Sequence, residues 1–387
     1  MTGAPAATFA GARAKWPLDP CVTQLNHGAF GAAPTPVLDE QQRLRAAMER
    51  NPTDFLVRVA PALLDAVRER LAAFVGADAA GTVLVANATT GTQTALSALE
   101  LSQGDEVLTT DHCYYAVRMQ LGELARRTGA RIVVATIPMT QPTQDAIADA
   151  VLGRVTARTR ALVVDHITSP TGIVLPLRRI AAACRDRGIV TVVDGAHAPG
   201  MVEVDLGSLG VDYWTGNLHK WVCAPKSAAV LWAAPERRAT LRPLVPSHFF
   251  ADGLHAAFDW TGTIDPTPVL ASVAALDFFD AYGWDAVRRR NAELAAAGAR
   301  VVADALGTEV PVPDESSGSL RVVTLPRPLD AGVARDVERR LLAEHGIEVP
   351  LTATDTTRWV RVSAQLYNDI GDYERLAKVL PDVLERA

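Results

Sequence analysis

The sequence predicts an α/β fold: a mostly parallel seven-stranded sheet sandwiched by helices, followed by a smaller α+β C-terminal domain. Three observations lead there. Short β-branched runs alternate with longer Ala/Leu/Arg segments between residues 82 and 232. The runs are mostly apolar rather than alternating, as expected of strands covered by helices on both faces. After about Ser247 this rhythm stops, and a loop from His248 to Pro268 rich in Gly, Pro, His and aromatics takes over.

The strands of the first region are Thr82–Ala86, Glu106–Leu108, Arg131–Ile137, Ala161–Asp165, Val190–Asp194, Asp212–Trp214 and Ala228–Trp232. Between them, amphipathic spacing predicts helices over Gly91–Leu101, Ala116–Thr128, Thr143–Arg154 and Leu177–Arg187. Right-handed crossovers then align the C-terminal ends of the strands along one edge, where ligands of such sheets bind. The second region reads as helices Val269–Tyr282 and Trp284–Leu306, strand Ser319–Leu325, helix Ala331–His345 and strand Trp359–Ser363. We place a large domain at 18–265 and a small one at 266–387, which the arm 1–17 joins.

Composition excludes several classes. The chain has 387 residues, 49% hydrophobic, enough for a large core. A net charge of −6 without long basic runs argues against nucleic acid as a partner. No apolar run approaches the ~20 residues of a membrane helix. The Ala- and Gly-rich start does not read as a secretory leader. Four scattered cysteines, Cys21, Cys113, Cys184 and Cys223, form no CxxC pair or Cys/His cluster, so neither a disulfide framework nor a metal site is expected. The expectation is a protein of a reducing cytoplasm.

Chemistry concentrates in three segments at predicted strand ends. Val192-Val193-Asp194-Gly195-Ala196-His197 delivers a carboxylate to the ligand edge, and the small residues after it allow close approach. Gly216-Asn217-Leu218-His219-Lys220-Trp221 brings an amine to the same edge one βα unit later. Ala88-Thr89-Thr90-Gly91-Thr92 is a hydroxyl-rich turn opening a helix, a ready anion site. Taken singly, each has an ordinary explanation: a strand-end aspartate, a lysine lying on a tryptophan, an N-cap. Their order and spacing make the joint signal specific.

These segments resemble fold-type I pyridoxal-phosphate (PLP) enzymes of the class V aminotransferase family, which includes the cysteine desulfurases; the nearest likeness is to isopenicillin N epimerase-like members. Supporting stretches are Leu25-Asn26-His27-Gly28-Ala29-Phe30-Gly31, Thr110-Asp111-His112, His166-Ile167-Thr168-Ser169-Pro170-Thr171-Gly172, and Arg361-Val362-Ser363 with Tyr367-Asn368. The resemblance implies pyridoxal 5'-phosphate as cofactor, with Lys220 as its Schiff-base lysine and Asp194 as the partner of the pyridine nitrogen. It implies Thr89, Thr90 and His219 around the phosphate, where the nearby Asn217 offers a further donor, and His112 stacked on the ring, with Tyr114 as a rival. His197 falls near the phenolic oxygen, where desulfurases often have glutamine. Ser169 replaces an asparagine beside the ring. Thr263 matches a residue reaching the phosphate of a neighbouring subunit, which implies a homodimer with shared sites. Arg361 matches the arginine that grips a substrate carboxylate by a bidentate pair, and Asn26 and His27 fall in the substrate pocket with Phe30, Phe249, Phe250 and Trp260.

The family's desulfurases carry a nucleophilic cysteine before the Arg-containing strand. Here that stretch is Gly346-Ile347-Glu348-Val349-Pro350-Leu351, so persulfide chemistry of that type is not expected. The catalytic set is Lys220, Asp194 and His112, acting on a small amino-acid substrate. The expected reaction is β-elimination from an S-conjugated cysteine in specialised metabolism, because it asks only for Lys220 as base. Epimerisation needs a second acid, for which Tyr114, Tyr115 and His27 are candidates. Transamination and decarboxylating deamination also stand as alternatives, and a non-catalytic PLP-binding module is a distant one.

Overall fold

The computed structural model describes Phe9, 11–353 and 357–387. Its strands, in chain order, are β1 (Thr23–Gln24), β2 (Thr82–Val85), β3 (Glu106–Thr110), β4 (Arg131–Ala135), β5 (Thr159–Asp165), β6 (Val190–Asp194), β7 (Tyr213–Asn217), β8 (Ala229–Ala233), β9 (Leu320–Leu329), β10 (Ile347–Glu348), β11 (Leu351–Ala353) and β12 (Thr357–Ser363). Strands β2 to β8 form one seven-stranded sheet in the order β2-β8-β7-β6-β5-β3-β4. Only β8 runs antiparallel to its neighbours.

All seven expected strands are present: Val190–Asp194 with the expected bounds, the other six with shifted ends. β7 continues through Thr215, Gly216 and Asn217, residues that read as a turn, because each pairs with β8 as far as Asn217↔Ala229. Pairing inside a sheet overrides weak strand propensity. The helix expected at Gly91–Leu101 spans Ala88–Ser97, because Asn87 caps it: its side chain accepts the Thr90 N–H at 2.8 Å. The single helix expected over Val269–Tyr282 is two, Thr267–Leu270 and Ser272–Asp280. Two further helices, Thr35–Arg50 and Ala60–Phe74, go beyond the sequence reading.

Alternation along each strand decides what faces what. Val163, Val192 and Tyr213 join the core under the Ala88–Ser97 and Tyr115–Thr128 helices. Leu162, Val164 and Val193 join the core on the opposite side, with Leu71 and Ile180. Asp165 and Asp194 each follow by two, so both carboxyls point to the first of these sides. Gly91 brings the Ala88–Ser97 helix down onto β7: a Cβ there would collide with the Thr215 side chain.

A second sheet, β11-β12-β9, packs against the helices Trp284–Leu306 and Ile370–Glu385. The N-terminal segment is stitched to it. β1 pairs with β10 (Thr23↔Ile347), and the Ser363 N–H donates to the Leu25 carbonyl at 2.9 Å. Asn26 and His27 are thereby fixed at the junction of the two sheets. Among the described residues, no helix is long and apolar enough to cross a membrane.

Candidate active site

Lys220 sits just beyond the end of β7, buried, with its amine 2.9 Å from His197 Nε2. His197 Nδ1 lies 3.3 Å from the indole N–H of Trp221. An indole can only donate, so Nδ1 must accept. The neutral ring then carries its hydrogen on Nε2 and donates it to Lys220 Nζ, which can accept only as an uncharged amine. The electrostatics agree. Burial, then Arg361, lowers Lys220 to about 7, against a smaller opposite pull from Asp194 and Asp165. Burial, then Lys220, also holds His197 well below the usual histidine range.

Asp194 ends β6 beside this amine, 5% exposed, and its Oδ1 accepts the Ala196 N–H at 2.9 Å. Burial raises its carboxyl. Its in-register neighbour on β5 is Asp165, a residue that the sequence reading passed over.

The Thr89–Thr90 turn closes the same edge. Asn217 accepts the Ala88 N–H at 2.8 Å with its side-chain oxygen, so it braces the turn rather than only adding a donor to it. The capping is done by Asn87, and the Thr89 and Thr90 hydroxyls take no part in it. His219 Nδ1 is buried without a partner among the described residues, and burial lowers its pKa to about 4.

Arg361, on β12, reaches the junction from the second sheet and is 8% exposed. It donates to the Ser169 carbonyl at 2.6 Å and to Asn26 Oδ1 at 3.3 Å, while Asn26 donates to Glu348 at 3.1 Å. Ser169 thus contributes its main chain to the site. His112 is buried after β3, its Nδ1 3.0 Å from Thr171 Oγ1, and burial lowers its pKa. Tyr114, the rival ring-stacking residue, is 41% exposed at the start of the Tyr115–Thr128 helix.

Three expected residues, His27, Phe249 and Trp260, lie elsewhere. His27 sits behind the lysine rather than lining a pocket: Nδ1 meets Tyr367 Oη at 2.9 Å and Nε2 meets the Lys220 carbonyl at 3.0 Å. Burial lowers its pKa to about 3. Phe249 and Trp260 line a separate cavity of about 660 Å³ with Leu56 and Val57. Thr263, expected to reach a neighbouring subunit, is exposed.

The donors left open form a coherent set: a free amine, a buried carboxyl, two threonine hydroxyls at a helix N-terminus, and an unpartnered imidazole nitrogen. They fit a group carrying an aldehyde, a basic ring nitrogen and a phosphate, which is pyridoxal phosphate. Among the described residues, no cluster of three or more His, Cys, Asp or Glu is placed to hold a metal ion.

Comparison with known proteins agrees. The family model described as aminotransferase class V matches residues 29–376. The chain is 34% identical to isopenicillin N epimerase of Amycolatopsis lactamdurans, covering 98% of this chain and 99% of that protein. It is 33% identical to the putative L-cysteine desulfhydrase 1 of Oryza sativa subsp. japonica, covering 92% and 82%. In fold it resembles the cystine C-S lyase C-DES in complex with cysteine persulfide (TM-score 0.81, 22% identity, covering 93% and 97%). It also resembles the cysteine desulfurase CsdA of Escherichia coli (TM-score 0.79, 22% identity, covering 99% and 100%). The chain belongs to the class V aminotransferase family of pyridoxal-phosphate-dependent enzymes.

Proposed function

We propose that this enzyme is a β-eliminating C–S lyase acting on an S-substituted cysteine. One observation carries the reading: a single amine, Lys220, is held uncharged by His197. His27, a candidate for a second acid, has both ring nitrogens engaged behind it. Elimination needs one base that takes the Cα proton and returns it to the leaving sulfur. Relatives named L-cysteine desulfhydrase support the same reaction class.

Pyridoxal phosphate, when bound, supplies the electron sink that acidifies the substrate's Cα–H. Thr89, Thr90 and His219 would hold its phosphate, Asp194 would face its ring nitrogen and His112 its ring face. Arg361 would bind the substrate carboxylate with a guanidinium already fixed by Ser169 and Asn26. Lys220 Nζ would accept the Cα proton and then give it to the departing thiolate. Overall, an S-substituted cysteine plus water gives a thiol, pyruvate and ammonium. Neither cysteine near the site competes as a nucleophile. Burial pushes the Cys113 and Cys223 thiols far up, and only the thiolate is reactive.

A second reading, epimerisation, rests on the isopenicillin N epimerase relatives and on Tyr114, a phenol 41% exposed at the start of the Tyr115–Thr128 helix. The two part on products. Incubation with a panel of S-substituted cysteines in D₂O yields thiol, pyruvate and ammonium in equal amounts under the lyase reading. Recovered substrate with inverted, deuterated Cα and no pyruvate refutes it in favour of the epimerase.

The same reading includes a homodimer with shared sites. Thr263 is exposed, and a cleft of about 970 Å³ runs from Thr90 past Phe258 to the exposed Leu244, Val245 and Ile264. A partner copy would cover this apolar surface. Light scattering of a monomer that binds the cofactor tightly would remove this part.

A further inference from the structure

Asp165 belongs to no part of the machinery described above, yet it adjoins its centre. It ends β5 in register with Asp194 at the end of β6. In-register neighbours on parallel strands point to the same face. Both carboxyls are buried, at 2% and 5% exposure. The main-chain N–H groups of Asp165 itself and of Tyr114 face its carboxyl, but its Oδ2 is buried with no partner among the described residues.

The groups facing it are few. Cys113 and the Tyr114 main chain come from the loop before the Tyr115–Thr128 helix, Asp194 from β6 and Lys220 from beyond β7. Cys113 is a thiol. Lys220, as the His197–Trp221 chain requires, is an uncharged amine. Two carboxylates in this pocket would therefore lack a compensating cation, and one carries a bare oxygen. Adjacent buried carboxyls resolve such a conflict by holding one proton between them. Burial raises both, Asp165 well above the usual range. The choice of acid follows from the bonds: Asp194 Oδ1 is fixed as an acceptor by Ala196, whereas the open Oδ2 of Asp165 has room to carry a hydrogen.

We propose that Asp165 is a permanently protonated positioning residue: it donates its carboxyl hydrogen to Asp194 and keeps that carboxylate the one anion facing the cofactor's ring nitrogen. The second half rests on Asp194 being that partner; the protonation of Asp165 does not. A donor on Asp194 makes it a weaker base, so the shared proton stays on the ring nitrogen and the ring remains a good electron sink.

Infrared spectroscopy of the cofactor-free protein at neutral pH tests the protonation. A protonated carboxyl absorbs at higher frequency than a carboxylate and shifts in D₂O. Such a band is expected in the parent protein and absent from both Asp165→Asn and Asp165→Ser. Its absence from the parent, or its persistence in both variants, overturns the proposal whatever the role of Asp194. In the cofactor-loaded protein, Asp165→Asn replaces one neutral donor by another. The pH midpoint of the cofactor's visible absorption should then move by less than about half a unit; removal of a nearby charge would move it by about one unit or more. A shift of that larger size would show that Asp165 is ionised and refute the assignment. Asp165→Leu, which keeps neither charge nor donor, should weaken cofactor binding about tenfold. If Asp165→Leu binds the cofactor as the parent does while the infrared band is present, the link to Asp194 fails and the protonation stands.

Discussion

Replacing Arg361 gives the sharpest quantitative test of how substrate is held. Its guanidinium is buried, and burial lowers its pKa to about 10. Two of its five N–H groups are committed, to Ser169 O and Asn26 Oδ1, one from each terminal nitrogen. Each terminal nitrogen keeps a second hydrogen, which is what a carboxylate needs for a forked pair. Desolvation and orientation are thus settled before substrate arrives, and a buried charge pair of this kind is worth about 2–5 kcal/mol when one partner is removed. Arg361→Ala should therefore lower kcat/KM for an S-substituted cysteine by roughly thirtyfold to several thousandfold. Arg361→Lys keeps the charge but loses the fork, and should recover only part of it. The assay pairs the cysteine with the corresponding S-substituted cysteamine, which lacks the carboxylate. The cysteamine should respond to neither change by more than about threefold, because it makes no such pair. Equal losses on both substrates, or no loss on the cysteine, would refute the assignment of Arg361 as the carboxylate site.

Further expectations follow from the same geometry. With Lys220 lowered to about 7, capture of pyridoxal phosphate by the cofactor-free protein should speed up with pH and level off above about 8; a rate still climbing near pH 10 would show an ordinary lysine. The same depression makes the folded state costly below the unfolded lysine's pKa. The penalty grows as pH falls from 10.5 to about 7 and is constant below, so Lys220→Met should raise the cofactor-free protein's stability at neutral pH by a few kcal/mol in urea unfolding. Trp221→Phe removes the donor that fixes His197; nitrogen-15 NMR of the histidine rings should show the Nε2–H form giving way to a mixture, and an unchanged spectrum would contradict the relay. Asn87→Ala should cost about 1 kcal/mol of stability and weaken cofactor binding, by calorimetry and absorbance titration. Gly91→Ala should lift the same turn off β7, with partial recovery in Gly91→Ala/Thr215→Ala.

Much of this was legible in the sequence where chain order alone carries the information. Val190–Asp194 reads as a buried strand ending in a carboxylate, and Lys220 follows one βα unit later on the same edge. Asp165 was not legible as a site residue. A charged residue after Val163-Val164 looks like a strand terminus, and only the register of β5 against β6 sets it beside Asp194. His27 misled for the opposite reason. The family resemblance implies a place in the substrate pocket, but β1 pairing with β10 turns the segment inward, toward Tyr367 and the main chain of Lys220. The bracing of the Thr89 turn by Asn217 depends on β7 running past Trp214, which its Thr-Gly-Asn ending concealed. Tertiary pairing, not local preference, decided each of these.

The point of cofactor attachment distinguishes an aldimine lysine from a merely buried one. Borohydride reduction of the yellow, cofactor-loaded protein, followed by peptide mapping, should place one phosphopyridoxyl group on Lys220, and Lys220→Ala should carry none. A label on Lys226, the next lysine along the chain, or full activity in Lys220→Ala, would show that Lys220 is not the Schiff-base lysine.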